Sequence, residues 1–276
     1  MHTFQTVERL IRVDALVTVL NQSKPKGFYF PGESHDFWEG VFVYEGHVTA
    51  TSDERVYQLD SGKLLFHKPM EFHRIWSEGL DEPRYVNISF RASGEGIKRF
   101  ENSCFDLNPT QQKHFWDVVE AFRQTMDLRE SPDQHRYRLS LNLTAARLEA
   151  FLIELTESGE YTPRSLSGDE IRYAKIVSVM KENSHRSLSV TELAALCDLS
   201  VSNMKRIFRC FSDVGVAKFY MSLRMRRAME LLDQGASASE AAEQLDFQEI
   251  SYFYTVFKRE TGMTPTEYRK KRGKGD

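Results

Sequence analysis

Cysteine is scarce and unpatterned in this sequence. Its 276 residues include three, Cys104, Cys197 and Cys210, an odd number without the paired spacing of a disulfide framework or a thiolate metal site. Free thiols packed as small hydrophobes in a reducing compartment are the expectation. Long hydrophobic runs are missing too. No stretch approaches the roughly 20 apolar residues of a membrane span, and Glu8 and Asp14 interrupt the region where a secretory signal would be uniformly apolar. A cytoplasmic protein without a membrane partner is predicted. Strong charge of one sign is the third absence, since the net charge is −3. With 41% hydrophobic and 12% aromatic residues, the chain is excluded from the disordered class and is long enough for two cores.

The small net charge conceals an asymmetry. Residues 1–167 hold 19 Lys and Arg against 25 Asp and Glu, whereas residues 168–276 hold 18 against 15. A mildly basic C-terminal part suits phosphate binding, and its pattern says more than its sum. Ser189-Val-Thr-Glu192 and Ser237-Ala-Ser-Glu240 are S-x-x-E capping boxes 48 residues apart. The same offset carries Asp198-Leu-Ser onto Asp246-Phe-Gln; one residue further, Phe208 falls on Phe257 and Phe219 on Tyr268. This is an internal duplication. Each copy reads as a short helix, a turn at Asp198 or Asp246, and a second helix. Those second helices span about 201–211 and 250–260 and carry apolar faces (Met204, Ile207, Phe208, Phe211; Phe253, Val256, Phe257). The pairs Ala194-Ala195 and Ala241-Ala242 leave room for a close helix crossing, giving helix-turn-helix geometry.

Between the copies, residues 216–232 lack Gly and Pro and predict a helix of roughly 27 Å with one apolar stripe, Phe219, Leu223, Met225, Ala228, Leu231 and Leu232. That length can set two recognition helices about one DNA turn apart. Thr264-Pro-Thr-Glu267 caps a last helix ending in the basic run Arg269-Lys-Lys-Arg272.

This order of elements, with the segment Phe253-x-x-Val-Phe-Lys-Arg-Glu-Thr-Gly-Met-Thr-Pro-x-Glu-Tyr268, resembles the DNA-binding domain of the AraC/XylS family of bacterial transcription regulators. The resemblance spans about 170–272 and implies double-stranded promoter or operator DNA and RNA polymerase as partners. Aspartate stands at 198, 246 and 213 where the family usually has glycine; aspartate tolerates the left-handed conformation better than most residues. On the first recognition helix Ser202, Lys205 and Arg206 are assigned to bases by similarity, with Asn203 and Arg209 nearer the backbone. These side chains suit major-groove edges. The second offers Ile250, Ser251, Tyr254 and Thr255, with Lys258 further along, and is assigned mainly to positioning.

Residues 28–90 look different. Aromatic and β-branched runs (42–44, 48–51, 55–59, 63–67, 72–76, 85–90) are broken by turn residues every eight to twelve positions, predicting a small antiparallel β-barrel or jelly roll. Pro31-Gly-Glu-Ser-His35-Asp-Phe37 and Gly62-Lys-Leu-Leu-Phe-His-Lys-Pro69-Met-Glu-Phe-His73 resemble the cupin-like effector domain of the same family. Metal-binding cupins carry a His-x-His pair and a later Glu; here Phe37 takes the second His position, no acid has the expected spacing, and no metal is expected. His35, Trp38, Tyr44, His73 and Trp76 are the candidates to line a pocket for a small-molecule effector, a sugar or other carbon metabolite. The bland alternative is that the aromatics simply fill the barrel.

Helices are predicted over 109–128 and 134–157. They pack either on the barrel or on a partner subunit, and the resemblance makes the second a candidate homodimer helix. The overall expectation is an α+β chain: a cupin-like effector and dimerisation domain over 1–158, a linker over 159–168, and an all-α domain over 169–276 with two helix-turn-helix units. Enzyme activity and cofactors are not expected; a ligand-responsive transcription regulator is, and the residues do not fix whether it is an activator or a repressor.

Overall fold

In the computed structural model, which describes residues 5–77, 81–158 and 168–272, the chain divides into two units, Met1–Ser165 and Leu166–Asp276. The segment read as a linker lies outside the described residues except for Gly168, which opens a helix.

Period-two alternation organises the first unit. Its strands are β1 (Arg12–Ser23), β2 (Tyr29–Glu33), β3 (Trp38–Glu45), β4 (His47–Ser52), β5 (Arg55–Asp60), β6 (Lys63–His67), β7 (His73–Trp76), β8 (Arg84–Ser93) and β9 (Cys104–Asp106). They form two antiparallel sheets ordered β1-β8-β3-β6-β9 and β2-β7-β4-β5. One face of the first sheet presents Trp38, Phe42, Leu64, Phe66, Val86, Ile88 and Phe90. Two helices cover it, α1 (Pro109–Asp127) and α2 (Gln134–Thr156), through Phe115, Phe122, Leu148, Phe151 and Leu155. The opposite face presents Val41, Val43, Leu65 and Tyr85 to Val48, Ala50, Tyr57 and Leu59 of the second sheet. Successive strand side chains point to opposite faces, so each inner strand serves two cores.

The helices therefore pack on their own chain. A row of Leu139, Leu143 and Ile153 on α2 stays about half exposed. Strands β1, β2 and β9 extend the sheets beyond the predicted set. β1 escapes a periodicity search because its register with β8 shifts twice, between Val13 and Ala15 and between Leu16 and Thr18, which breaks the alternation.

The second unit comprises α3 (Gly168–Glu182), α4 (Val190–Leu196), α5 (Val201–Phe211), α6 (Val216–Asp233), α7 (Ala238–Gln244), α8 (Ile250–Thr261) and α9 (Pro265–Arg272). All three capping boxes form: Ser189, Ser237 and Thr264 accept from the amides of Glu192, Glu240 and Glu267, whose carboxylates accept in return from the cap amides at 2.7–2.8 Å. Each satisfies two amides that a helix start leaves without partners. Ala194, Ala241 and Ala242 are buried at the crossings, but Ala195 faces solvent, so the first crossing uses one alanine of the pair.

Asp198 and Asp246 adopt left-handed φ values of 59° and 54°. Their carboxylates also bind: Asp198 Oδ2 accepts from Lys175 Nζ of α3 at 3.1 Å, and Asp246 Oδ2 accepts from the Ser187 amide at 3.1 Å. Asp213 departs from the expectation and has no positive φ. The chain leaves α5 through an extended Ser212 and enters α6 from Gly215 at φ −63°, so no left-handed turn is needed there.

α6 is buried on several faces rather than along one stripe, through Phe219, Tyr220, Leu223, Arg224, Met225, Ala228, Leu231 and Leu232. The Tyr220 hydroxyl meets two carbonyls at the end of α3, Asn183 O at 2.6 Å and Arg186 O at 2.8 Å. One turn on, the Arg224 guanidinium donates to Leu245 O and lies 4.3 Å from the centre of the Phe247 ring. One helix thus grips both helix-turn-helix units. Tyr220→Phe strips a donor from these carbonyls and should cost about 1–3 kcal/mol, read as a lower urea midpoint for loss of helical circular dichroism by the full chain. An unchanged midpoint would show that water replaces the hydroxyl without loss.

Candidate functional site

The sequence-assigned residues of α5 emerge on one side. Met204, Ile207, Phe208 and Phe211 are buried, while Ser202, Lys205, Arg206 and Arg209 are exposed and Asn203 is half-buried. The helix starts at Ser200, whose hydroxyl accepts from the Asn203 amide at 3.2 Å. That fixes where Ser202 and Asn203 leave the first turn. Arg206 is not loose. Its Nη1 and Nη2 donate to Asp169 at the start of α3 at 3.1 and 3.4 Å, and its Nε donates to Asn203 Oδ1 at 3.3 Å. Asp169 is held below the usual carboxylate range, first by the hydrogen bond from Arg206 and then by that from Arg172. The Arg206 side chain is about half exposed and that of Asp169 about a third, and ion pairs so open to solvent contribute little to stability. An arriving acceptor can therefore displace the aspartate.

On α8, Phe253, Val256 and Phe257 are buried and Ile250, Ser251, Thr255 and Lys258 are exposed. Thr255 Oγ1 donates back to Ser251 O at 3.0 Å, and the half-buried Tyr254 hydroxyl meets Thr266 Oγ1 of α9 at 3.3 Å. Tyr254 is thus turned toward α9. Tyr252, absent from the residues assigned from sequence, is 53% exposed. The first face is cationic and rich in donors; the second is hydroxyl-bearing and apolar, with one lysine further along.

In the first unit the five pocket candidates separate. Trp38 and Tyr44 share the even register of β3 with Phe42, which faces α1 and α2: Trp38 is in that core, and Tyr44 sits 5.3 Å from the Trp116 ring and donates to Asn21 Oδ1 at 2.8 Å. Trp76 shares its face of β7 with Arg74, whose guanidinium lies 4.7 Å from the Trp76 ring and 4.4 Å from the Tyr29 ring. His73 takes the opposite parity. Only His35 and His73 come together, with ring centres 4.9 Å apart.

Around them the fold gathers residues that sequence reasoning missed. Glu39, on the inward parity of β3, is buried, and its carboxylate accepts from Asn87 Nδ2 at 3.1 Å and Ser89 Oγ at 3.4 Å, both from β8. Glu33 arrives through a register shift: β2 pairs Tyr29 with Trp76 and Phe30 with Ile75, then sets Glu33 opposite His73. Gly32 permits this at φ +102°, where a Cβ would lie 2.6 Å from the Phe72 ring and 2.8 Å from His73 O. Glu39 Oε1 lies 3.7 Å from His73 Nε2, Glu39 Oε2 lies 3.9 Å from His35 Nε2, and Glu33 Oε1 lies 4.0 Å from His73 Nε2. A stack continues inward, with His67 4.2 Å from His73 and Glu71 Oε1 2.8 Å from His67 Nδ1.

Burial decides the charges. It lowers the His35 and His73 pKa values, keeping both rings neutral at neutral pH, and together with the charge of Glu33 it pushes Glu39 up to about 7. The premise that no ligand set converges is corrected: one donor atom from each of Glu33, His35, Glu39 and His73 lies within 4.8 Å of the others. Glu39 was legible as a charge at the inward register of a strand; Glu33 was not, because a bulge delivers it.

With this geometry in view, the comparisons converge. An AraC-like ligand binding domain model matches residues 19–155, and a helix-turn-helix domain model matches residues 193–271. The HTH-type transcriptional activator RhaR of Mannheimia succiniciproducens is 22% identical over 244 residues, covering 87% of each chain. The MmsAB operon regulatory protein of Pseudomonas aeruginosa is 23% identical, covering 88% of this chain and 78% of its own. The structure of ToxT from Vibrio cholerae O395 aligns over 95% of this chain and 98% of its own at 16% identity and a TM-score of 0.39. No helix among the described residues is long and apolar enough to cross a membrane. An antiparallel ligand-binding domain followed by two helix-turn-helix units, matched by both domain models in that order, makes the chain a member of the AraC/XylS family of DNA-binding transcription regulators.

Proposed function

We propose that α5 supplies most of the sequence discrimination and α8 mainly holds the second groove, with the output set by a small molecule at the polar end of the first unit. The observation that carries this reading is the unequal chemistry of the two exposed faces. Ser202, Lys205, Arg206 and Arg209 offer donors that match guanine and other base edges, whereas Ile250, Ser251 and Thr255 suit thymine methyls and phosphates. Lys258 adds a backbone contact. Asn203, engaged with Arg206, orients that arginine rather than reading a base.

For the effector, His35 and His73 with Glu33 and Glu39 form a polar cluster beside the apolar contacts between the two sheets. Such a few convergent polar groups suit a hydroxylated carbon metabolite such as a sugar. The output is occupancy rather than turnover: binding shifts the population of arrangements that engage DNA and RNA polymerase. The exposed row of Leu139, Leu143 and Ile153 on α2 supports a second copy of the chain as a further partner.

Arg206→Ala should weaken binding to a site selected from random DNA by roughly 5- to 150-fold and relax its sequence preference. Lys258→Ala should weaken all sequences alike and flatten the salt dependence. Titration at two salt concentrations separates the two; a specific affinity untouched by Arg206→Ala would displace base reading from this face. Asp169→Asn removes the competitor for Arg206 and a charge that repels phosphate, so it should raise affinity severalfold in the same assay. A drop would instead make the ion pair a preorganising contact. For the effector, a thermal-shift screen of sugars, organic acids, amino acids and fatty acids should find one class that raises the melting temperature. A flat response across all four overturns the small-molecule reading.

A further inference from the structure

Two neutral imidazoles and two carboxylates face one another at the polar end of the first unit, and their hydrogen bonding is lopsided. His35 Nδ1 lies 3.0 Å from Phe37 O and His73 Nδ1 lies 3.2 Å from Glu71 O. A carbonyl accepts only, so both rings carry their proton on Nδ1 and turn an Nε2 lone pair inward. Each Nε2 is buried and, among the described residues, has no hydrogen-bond partner. His73 is 4% exposed. What each lone pair meets is a carboxylate oxygen at 3.7–4.0 Å. Two buried acceptor atoms, the Nε2 of each ring, thus lack a donor, and a buried polar group left so is costly; beside them Glu39 accepts from Asn87 and Ser89 and Glu33 reaches the exposed rim.

We propose that Glu33, His35, Glu39 and His73 bind a divalent transition-metal ion. It rests on the reading of this end as the effector site and assigns that site's chemistry: the ion is the effector or anchors it. A dication takes both lone pairs and an oxygen of each glutamate at once and balances the two carboxylates. Mixed imidazole and carboxylate donors select the zinc, iron and nickel group over magnesium. Tetrahedral ligands about 2.0–2.2 Å from zinc stand roughly 3.3–3.6 Å apart. The donors here lie within 4.8 Å of one another, a contraction that side-chain rotation of Glu33, exposed at the rim, and a small turn of His35 can supply. The supporting contacts of a built metal site are present as well. Carbonyls fix both histidine tautomers, and Asn87 and Ser89 orient Glu39.

The test uses the full chain, free of any affinity tag and stripped with chelator, in a Cys210→Ser background so that the exposed thiol does not compete. Zinc titrated calorimetrically should bind at one equivalent per chain, with magnesium silent at the same concentration, and cobalt should give visible ligand-field bands. Glu33→Gln, at an exposed position where folding is not at issue, should weaken zinc at least about tenfold. His73→Ala should abolish binding, with its stripped form checked by circular dichroism. Stoichiometric binding that neither variant alters, or no binding by the parent, overturns the site. Two further arms separate this from the effector reading. Metabolites that raise the melting temperature of stripped protein that ignores zinc would remove the metal and keep the effector site. Zinc that binds here without changing DNA affinity would keep the metal and remove the regulatory role.

Discussion

A single helix carries both reading heads. α6 is buried on several faces, with Tyr220 closing the carbonyls at the end of α3 and Arg224, one turn on, closing the turn of the second unit. Helices of seven residues such as α4 and α7 are too short to persist on their own propensity. They exist because the capping boxes close their first turns and neighbouring helices pack on them, α3 and α5 on α4 and α6 and α8 on α7. The geometry that a groove would meet is therefore set from within, by side chains that never touch DNA.

In the first unit the equivalent role falls to β3. Its even residues complete an apolar core with two helices, while Glu39 and its odd neighbours face the second sheet. That parity explains why the three aromatics among the five pocket candidates chosen from sequence do not meet the histidines: Trp38 and Tyr44 belong to the helix side, and Trp76 to the Arg74 side of β7. Choosing by residue type found chemistry without direction. Reading the strands as alternating faces puts Glu39 inside from sequence alone.

The second unit was more legible, for physical reasons. Helical spacing, S-x-x-E boxes and a 48-residue offset are local signals, and local hydrogen bonds such as those of Ser189, Ser237 and Thr264 realise them. The elements that stayed hidden depend on distant partners. β1 pairs with β8 across two register shifts, Glu33 reaches His73 through a bulge at a glycine, and the engagement of Arg206 comes from Asp169, 37 residues away. No window over the sequence contains both ends of such contacts.

The aspartates at the two turns carry a consequence for how the two copies hold together. Glycine in their place would supply the backbone conformation and nothing else; Asp246 also fastens the second turn to the Ser187 amide just ahead of α4, and Asp198 fastens the first to α3. The two recognition helices are thereby phased like teeth on one comb. The aspartates thus tie each turn to a segment outside its own pair of helices, the second turn to the lead-in of the first unit and the first turn to α3, a cross-link between the two copies that glycine would not make.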